Sequence, residues 1–290
     1  MVGVLGVSAS AILVRFSQAP SGVTAAYRLG WTVLLLLPVV LLRCRAELRR
    51  VTARDLVLCG ASGVLLALHF LTWFESLKRT SVASSTVLVS TEVIFTALGF
   101  ALFLHGKIPR LGVWAILLAF GGSALLALSG GGGAGELSGN LLALAAASAA
   151  AVYTLIGRIQ RGHLSTTVYT FLTYLACFLT LLLGTAAAGT PLTGYGGREW
   201  LIGLALAVLC TLLGHSLFSW CLKYLSPSYV SAAKLCEPVF SSLAAIPLFG
   251  EVPGPLQLAG GAAVLGAVLL YTWAVQHLLQ LYILAVHFCT

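Results

Sequence analysis

The chain has 290 residues, 59% of them hydrophobic and only 8% charged, with a mean hydropathy of +1.02 and a formal net charge of +8. Soluble domains carry about a quarter charged residues, so no soluble fold could hide this apolar surface, and the solvent for most of the chain is lipid. The basic excess does not mark a nucleic-acid partner, because the Lys and Arg residues sit in short stretches between apolar runs, where they set topology.

In lipid, backbone groups must be satisfied inside each segment or in a closed barrel. A barrel would alternate apolar and polar residues over short strands, whereas the apolar runs here are long and unalternating. A crossing takes about 20 apolar residues. The pattern therefore predicts an all-α integral membrane protein with ten transmembrane helices, over residues 2–17, 22–42, 55–75, 80–104, 109–129, 138–160, 165–188, 199–222, 226–249 and 255–275. The first run is short for a crossing, and no cleavable signal peptide is evident.

The loop after the second span holds Arg43, Arg45, Arg49, Arg50 and Arg54. Lys107, Arg110, Arg158, Arg161 and Lys223 fall in later loops on the same side, and only Lys78, Arg79 and Arg198 fall opposite. Basic residues favour the cytoplasmic side. This bias predicts a multi-pass protein of the plasma or inner membrane with both termini cytoplasmic.

Near the midpoint, Ser129–Asn140 reads SGGGGAGELSGN. It lacks the Gly-Lys-Ser/Thr ending of a phosphate loop, and its glycines make a helix costly, so a flexible connector is expected. The tail beyond His277 is apolar but short for a crossing; it is expected on the membrane surface and is assigned no function. The seven cysteines are scattered and form no CxxC pair, so neither a metal site nor a disulfide framework is read.

A shift of 145 residues aligns Ser76–Leu98 with Cys221–Leu243 without a gap. Leu77/Leu222, Lys78/Lys223, Ser81/Ser226, Glu92/Glu237, Phe95/Phe240 and Leu98/Leu243 are identical. Matching Lys and Glu in lipid-embedded sequence arise by chance less readily than matching Leu. The copies lie five spans apart, and an odd number flips the second relative to the first. The prediction is two inverted five-helix repeats: a first unit over 1–129, a connector over 130–137, a second unit over 138–275 and a tail over 276–290. Inverted repeats are a hallmark of secondary transporters, with the site at their interface near the midplane.

The stretches His69–Phe95 (HFLTWFESLKRTSVASSTVLVSTEVIF) and Gly214–Glu251 (GHSLFSWCLKYLSPSYVSAAKLCEPVFSSLAAIPLFGE) carry a family likeness. The chain resembles the drug/metabolite transporter superfamily, of the EamA type, over nearly its whole length. The resemblance implies a central cavity and, commonly, export of amino acids, other metabolites or toxic compounds. The second copy carries the usual Glu-Pro and Gly-Glu, at Glu237-Pro238 and Gly250-Glu251. The first departs from it, with Glu92-Val93 lacking the proline and Leu104-His105-Gly106 lacking the Gly-Glu.

Ionisable groups inside spans cost about 2.5–3.5 kcal/mol on insertion scales, so each is a candidate. Glu92 and Glu237 fall near the middles of spans four and nine, and facing one cavity they could bind a cation or share a proton. The alternative is that each is capped by a neighbour and only holds helices together. Lys234 lies three residues before Glu237 on one helical face, which suits either a neutralising pair or a substrate contact; if the pair forms, Glu92 is the better coupling candidate. Arg28 is placed to meet a substrate carboxylate or to pair with Glu92. Arg15, close to a span end, is expected to snorkel in a structural role. His69 and His215, each followed by aromatics, are proton-site candidates or structural donors. Trp31 and Tyr153 are expected in the cavity, and Trp73 in the cavity or at the interface. Pro238, beside a buried carboxylate, is a gating candidate through a helix kink. Small residues at Ala119, Ser123, Ala127 and at Ala259, Ala263, Ala267 suit close helix contact or a homodimer surface.

These features point to a secondary transporter that exports a small organic solute, amino acid-like or cationic, by alternating access. The proton is the expected coupling ion, and facilitated exchange is the alternative. No nucleotide-binding motif supports ATP drive, and no HExxH, GxSxG or acidic metal cluster supports an enzyme. No cofactor or metal is therefore expected; the lipid bilayer and a small molecule are the expected partners. An intramembrane enzyme and a passive channel or scaffold are the competing readings.

Overall fold

The computed structural model describes residues 2–103, 110–129, 134–225, 230, 234 and 236–289, with no strand among them. Residues 104–106 and Lys107, Ser226, and 130–133 of the glycine-rich stretch lie outside the described residues, as do the side chains of Ala127 and of 275–289.

In chain order the helices are α1 (Val2–Phe16), α2 (Ser21–Arg43), the single turn α3 (Arg45–Leu48), α4 (Ala53–Arg79), α5 (Val82–Val89), α6 (Glu92–Phe103), α7 (Arg110–Ser129), α8 (Ala134–Gln160) and α9 (Thr166–Ala187). There follow α10 (Gly197–Ala205), a π-helical stretch over Leu206–His215, α11 (Ser216–Cys221), α12 (Cys236–Phe249) and α13 (Pro255–Cys289). Seven runs are long and apolar enough to cross a membrane: Ser21–Arg43, Ala53–Arg79, Val82–Gly99, Gly135–Gln160, Thr166–Ala187, Gly197–Cys221 and Pro255–Ala274. Three shorter apolar helices, Gly3–Phe16, Arg110–Leu126 and Glu237–Phe249, accompany them.

Local chemistry sets the helix starts. Thr52 and Asp55 form a capping box on α4: Thr52 Oγ1 accepts from the Asp55 amide at 3.2 Å, and Asp55 accepts from the Thr52 amide at 3.0 Å. Ser81 caps α5 and Ser165 caps α9 in the same way, each accepting from the amide three residues on.

Two expectations are corrected. The sequence 134–140 is not a loop but the first two turns of α8. Asn140 there takes the Thr80 hydroxyl at 2.9 Å, and a Cβ at Gly139 would stand 3.0 Å from Thr80, so close packing on the end of α4 outweighs the glycines' poor propensity. At the other end, the backbone of the predicted tail continues α13 as helix through Cys289.

Without a hydrophobic force between helices in lipid, association rests on close packing and interhelical hydrogen bonds. The buried core, with Leu66, Phe70, Phe74, Tyr169, Tyr174 and Leu181, lies where α4 packs on α8 and α9, and α9 on α2. α1 packs on the π-helical stretch, and α7 on α13. The small-residue stripes serve that last contact inside the chain: Ala119, Ser123 and Ala267 are buried there, although Ala259 is exposed. The tightest approach belongs to residues the stripes did not include, Gly122 and Gly260, each of whose Cβ would stand 2.9 Å from the other's carbonyl oxygen.

End-to-end contacts give the helix directions. Thr80 at the end of α4 meets Asn140 at the start of α8, while Asp55 at the start of α4 meets Gln160 at the end of α8, 3.2 Å away; these two helices run antiparallel. Arg15, at the end of α1, donates to the Leu77 carbonyl at the end of α4, so α1 and α4 run parallel. Arg158, at the end of α8, donates to the Leu222 carbonyl just past α11, at 2.5 Å, so α8 and α10–α11 run parallel. Arg15 has the structural role expected of it at a span end. It spans to Glu251 at 2.8 Å, and Glu251 in turn accepts from the Val82 amide at 2.8 Å.

Candidate functional site

The span expected to carry Glu92 in its middle is interrupted there. In the run Ser84–Thr91 the hydroxyls of Thr86, Ser90 and Thr91 donate to carbonyls three or four residues back, at 2.7–2.9 Å. Such back-bonding competes with the helix ladder, and Ser90–Thr91 form turns between α5 and α6. Glu92 thereby becomes the first residue of α6, and Glu237 lies in the first turn of α12. A helix N-terminus favours a carboxylate through its unsatisfied amides, which lessens the burden of burying both.

Both carboxylates face one cavity of about 30 Å³, room for about two waters. His69, Trp73, Tyr153, His215 and Lys234 also line it, with Val7 and Ser10 of α1, Leu66, Val89 and Ala150. Seven of the nine predicted binding residues therefore converge. Glu92 is 6% exposed and Glu237 8%.

The lysine pairs across the cavity and not along its own helix. Lys234 Nζ donates to Glu92 at 3.0 Å and 3.1 Å, and Thr154 Oγ1 adds a third bond to Glu92 at 2.9 Å. The expected Lys234–Glu237 pair is not formed. Among the described residues, the Glu237 carboxylate has no ion pair and no hydrogen-bond donor. The condition under which Glu92 would be the better coupling candidate, a Lys234–Glu237 pair, is therefore not met.

His69 and His215 lie with ring centroids 6.4 Å apart. His69 Nδ1 meets the Ala146 carbonyl at 3.0 Å and its ring stacks on Trp73 at 5.8 Å. His215 contacts the rings of Phe70 and Tyr153, and the Tyr153 hydroxyl meets Ser219 Oγ at 3.3 Å. Arg28 does not reach Glu92. Its guanidinium is completely buried, donates to Thr211 Oγ1 at 2.8 Å and Ser10 Oγ at 3.0 Å, and lies 4.2 Å over the Phe70 ring.

Two candidates fall elsewhere. Trp31 donates its indole N–H to the Trp200 carbonyl at 3.2 Å and lines a separate apolar cavity of about 260 Å³ with Tyr27, Phe178 and Leu182. It lies on the side of α2 that meets Trp200 of α10, whereas the Arg28 guanidinium meets Ser10 of α1. Pro238 lines a third, largely apolar groove with Val87, Leu243 and Gln257. It lies in the first turn of α12, where proline starts a helix and does not kink it.

Sequence reasoning missed Thr154, Ser10 and Thr211, which hold the buried charges. Lone hydroxyls in apolar spans give no signal of their own. It also missed the polar layers at the helix ends: Glu199 accepting from Ser17 at 2.6 Å, and Asp55 accepting from Gln160 and from His163 at 2.8 Å. For Asp55 the Thr52-x-x-Asp55 spacing was a usable sign. Among the described residues no group of three or more His, Cys, Asp or Glu could hold a metal ion.

Comparison with known proteins agrees with this arrangement. A model of the EamA-like transporter family matches residues 1–128 and 137–273. The pseudopaline exporter CntI of Pseudomonas aeruginosa (strain UCBPP-PA14) is 24% identical over 205 residues, covering 71% of each chain. A probable terminal-alkyne amino-acid exporter of Streptantibioticus cattleyicolor is 28% identical over 233 residues, covering 77% of this chain and 75% of that one. A protein solved by crystallography shares the fold with a TM-score of 0.67, at 18% identity over 93% of this chain and 94% of its own. With a family model matching nearly the whole of this multi-pass helical membrane protein, the chain belongs to the EamA-like transporter family.

Proposed function

We propose that this protein exports a small polar metabolite by alternating access between two inverted five-helix halves, exchanging it for a proton at Glu237. The observation that carries the reading is the central cavity, where the starts of α6 and α12 bring Glu92 and Glu237 together and Lys234 satisfies only the first.

The inverted arrangement draws support from the helix directions. α1 runs with α4, α8 runs with α10–α11, and α4 runs against α8, so the rods related by the 145-residue shift are antiparallel. The packing is paired in the same sense: α4 lies on α8 as α1 lies on the π-helical stretch. The capping arginines obey it too, since Leu77 and Leu222 are equivalent under the shift. Sites of this kind sit where the repeats meet, on discontinuous helices. The Lys and Arg bias of the loops favours cytoplasmic termini in the plasma or inner membrane, and the relatives named as exporters favour outward movement.

A carboxylate that faces a cavity without a partner can accept and release a proton without breaking a salt bridge, so coupling is assigned to Glu237. The test starts from untargeted mass spectrometry of the medium of cells expressing the protein, which identifies the solute it enriches. That solute is then followed in proteoliposomes under an imposed pH gradient. Glu237→Gln is expected to keep solute–solute exchange at saturating solute and lose gradient-driven accumulation. Accumulation at the wild-type rate in the variant rules out coupling at Glu237, and a medium with no enriched solute rules out export.

A further inference from the structure

Arg28 is held in a way that no other buried cation among the described residues is. Arg15 and Lys234 meet carboxylates, and Arg161 donates to the carbonyls of Ser219 and Leu164. Arg28 has no exposed surface, yet its described partners are two hydroxyls and a ring face. A guanidinium carries five N–H donors, and its Nη2 has no hydrogen-bond partner among the described residues. No carboxylate among the described residues is within ion-pair distance of it. An uncompensated buried charge is strongly disfavoured, and a charge kept only to brace helices would be expected to be saturated.

The guanidinium lies directly behind the wall of the central cavity. Ser10, which accepts from Nη1, lines that cavity, and His215, which also lines it, packs against Phe70 beneath the guanidinium at 5.6 Å. Trp73, on the same wall, likewise has no acceptor for its indole N–H among the described residues. Lys234 and Glu92 cancel each other. Arg28 and Glu237 attract each other without touching, so what the site presents to a cargo is one guanidinium and one carboxylate, each short of a direct partner of opposite charge.

We propose that Arg28 is a specificity-determining residue: it takes an oxyanion of the cargo at its Nη2 edge, while a cationic nitrogen of the same molecule takes Glu237. The cargo is then a zwitterion bearing a carboxylate or similar group. A planar guanidinium suits that group better than an ammonium would, because it offers two parallel donors. A purely cationic solute leaves Arg28 uncompensated and a purely anionic one leaves Glu237 so; the site discriminates by leaving a buried charge unmet. The inference rests on the reading of the central cavity as the solute site, and is independent of proton coupling.

The test uses the purified full-length protein in detergent, with ligand-induced stabilisation as readout. The probes are the proteinogenic amino acids, each compared with its decarboxylated amine and its deaminated acid; for phenylalanine these are phenethylamine and 3-phenylpropanoate. At least one zwitterion is expected to bind about tenfold more tightly than both of its truncated forms, about 1.4 kcal/mol for each missing contact. Arg28→Gln is expected to lose the preference over the amine, and Glu237→Gln the preference over the acid. Arg28→Lys, which keeps the charge and loses the two-donor edge, is expected to fall between. Without ligand, Arg28→Gln is expected to melt at or above the wild type. The proposal is overturned if no zwitterion binds, if an amine matches its zwitterion in the wild type, if Arg28→Gln keeps the wild-type preference, or if that variant melts about 5 °C or more lower or fails to fold, the mark of a brace. Arg28-dependent zwitterion binding without gradient-driven export would sink only the coupling; gradient-driven export that ignores Arg28 would sink only this assignment.

Discussion

Glu92 and Glu237 occupy equivalent positions in two copies of one sequence pattern, yet they have different surroundings. Glu92 is clamped by Lys234 at 3.0 Å and Thr154 at 2.9 Å, while the Glu237 carboxylate meets no donor among the described residues. Two residues make the difference: Thr154, whose equivalent in the first copy is Ala9, and above all Lys234. The position equivalent to Lys234 in the first copy is Val89, and both line the cavity. Lys234 lies three residues from Glu237 but reaches across to the other half. Lys234 thus turns two like carboxylates of a repeated sequence pattern into a fixed ion pair and an acid with no donor among the described residues.

The comparison can be broken most severely at the lysine. Lys234→Met strands Glu92 as a buried charge and is expected to cost about 3–5 kcal/mol, read as a fall in the unfolding midpoint of the purified protein. The double variant Glu92→Gln/Lys234→Met should recover most of that loss, and additive losses would show that the pair is not coupled. The next largest effect sharpens the contrast: Val89→Lys offers Glu237 the partner it lacks. Gradient-driven flux should fall about tenfold, the effect of about 1.4 kcal/mol, with little change in stability. A variant that transports normally would mean that Glu237 is not the coupling acid. Glu237→Gln is expected to leave the unfolding midpoint unchanged or raised, since it removes a buried charge without breaking a pair; a large fall would reveal a structural role. The smallest effect belongs to the helix-end staple. Glu251→Gln loosens the half-buried Arg15 contact and should cost about 1 kcal/mol, with transport preserved.

The helices were legible because lipid imposes one rule on every residue, and long apolar runs obey it. The runs predicted at 165–188 and 199–222 lie within two residues of Thr166–Ala187 and Gly197–Cys221. Boundaries failed where tertiary contact outweighed propensity, as at Gly135–Asn140, drawn into α8 against the end of α4. The interruption before Glu92 was written in the Ser84–Thr91 hydroxyls, but their effect depends on which carbonyl each finds. Buried charges were conspicuous in apolar sequence, so the residues around the cavity were named in advance. Their pairing was not, because spacing along one helix says nothing of what an adjacent helix offers: Lys234 beside Glu237 suggested a local pair, and only packing brings Glu92 within its reach. Trp31 misled for a related reason, since depth in the membrane does not fix the face of the helix.

The cavity's volume of about 30 Å³ carries a thermodynamic consequence. An organic solute is many times larger than two waters, so the proposed loading of this cavity would require α6, α12 and the walls between them to dilate. Dilation would draw on the same contact energy that would otherwise appear as affinity. A cargo in it would be held more loosely than its charges suggest, and the recoil of the packed helices would help to expel it.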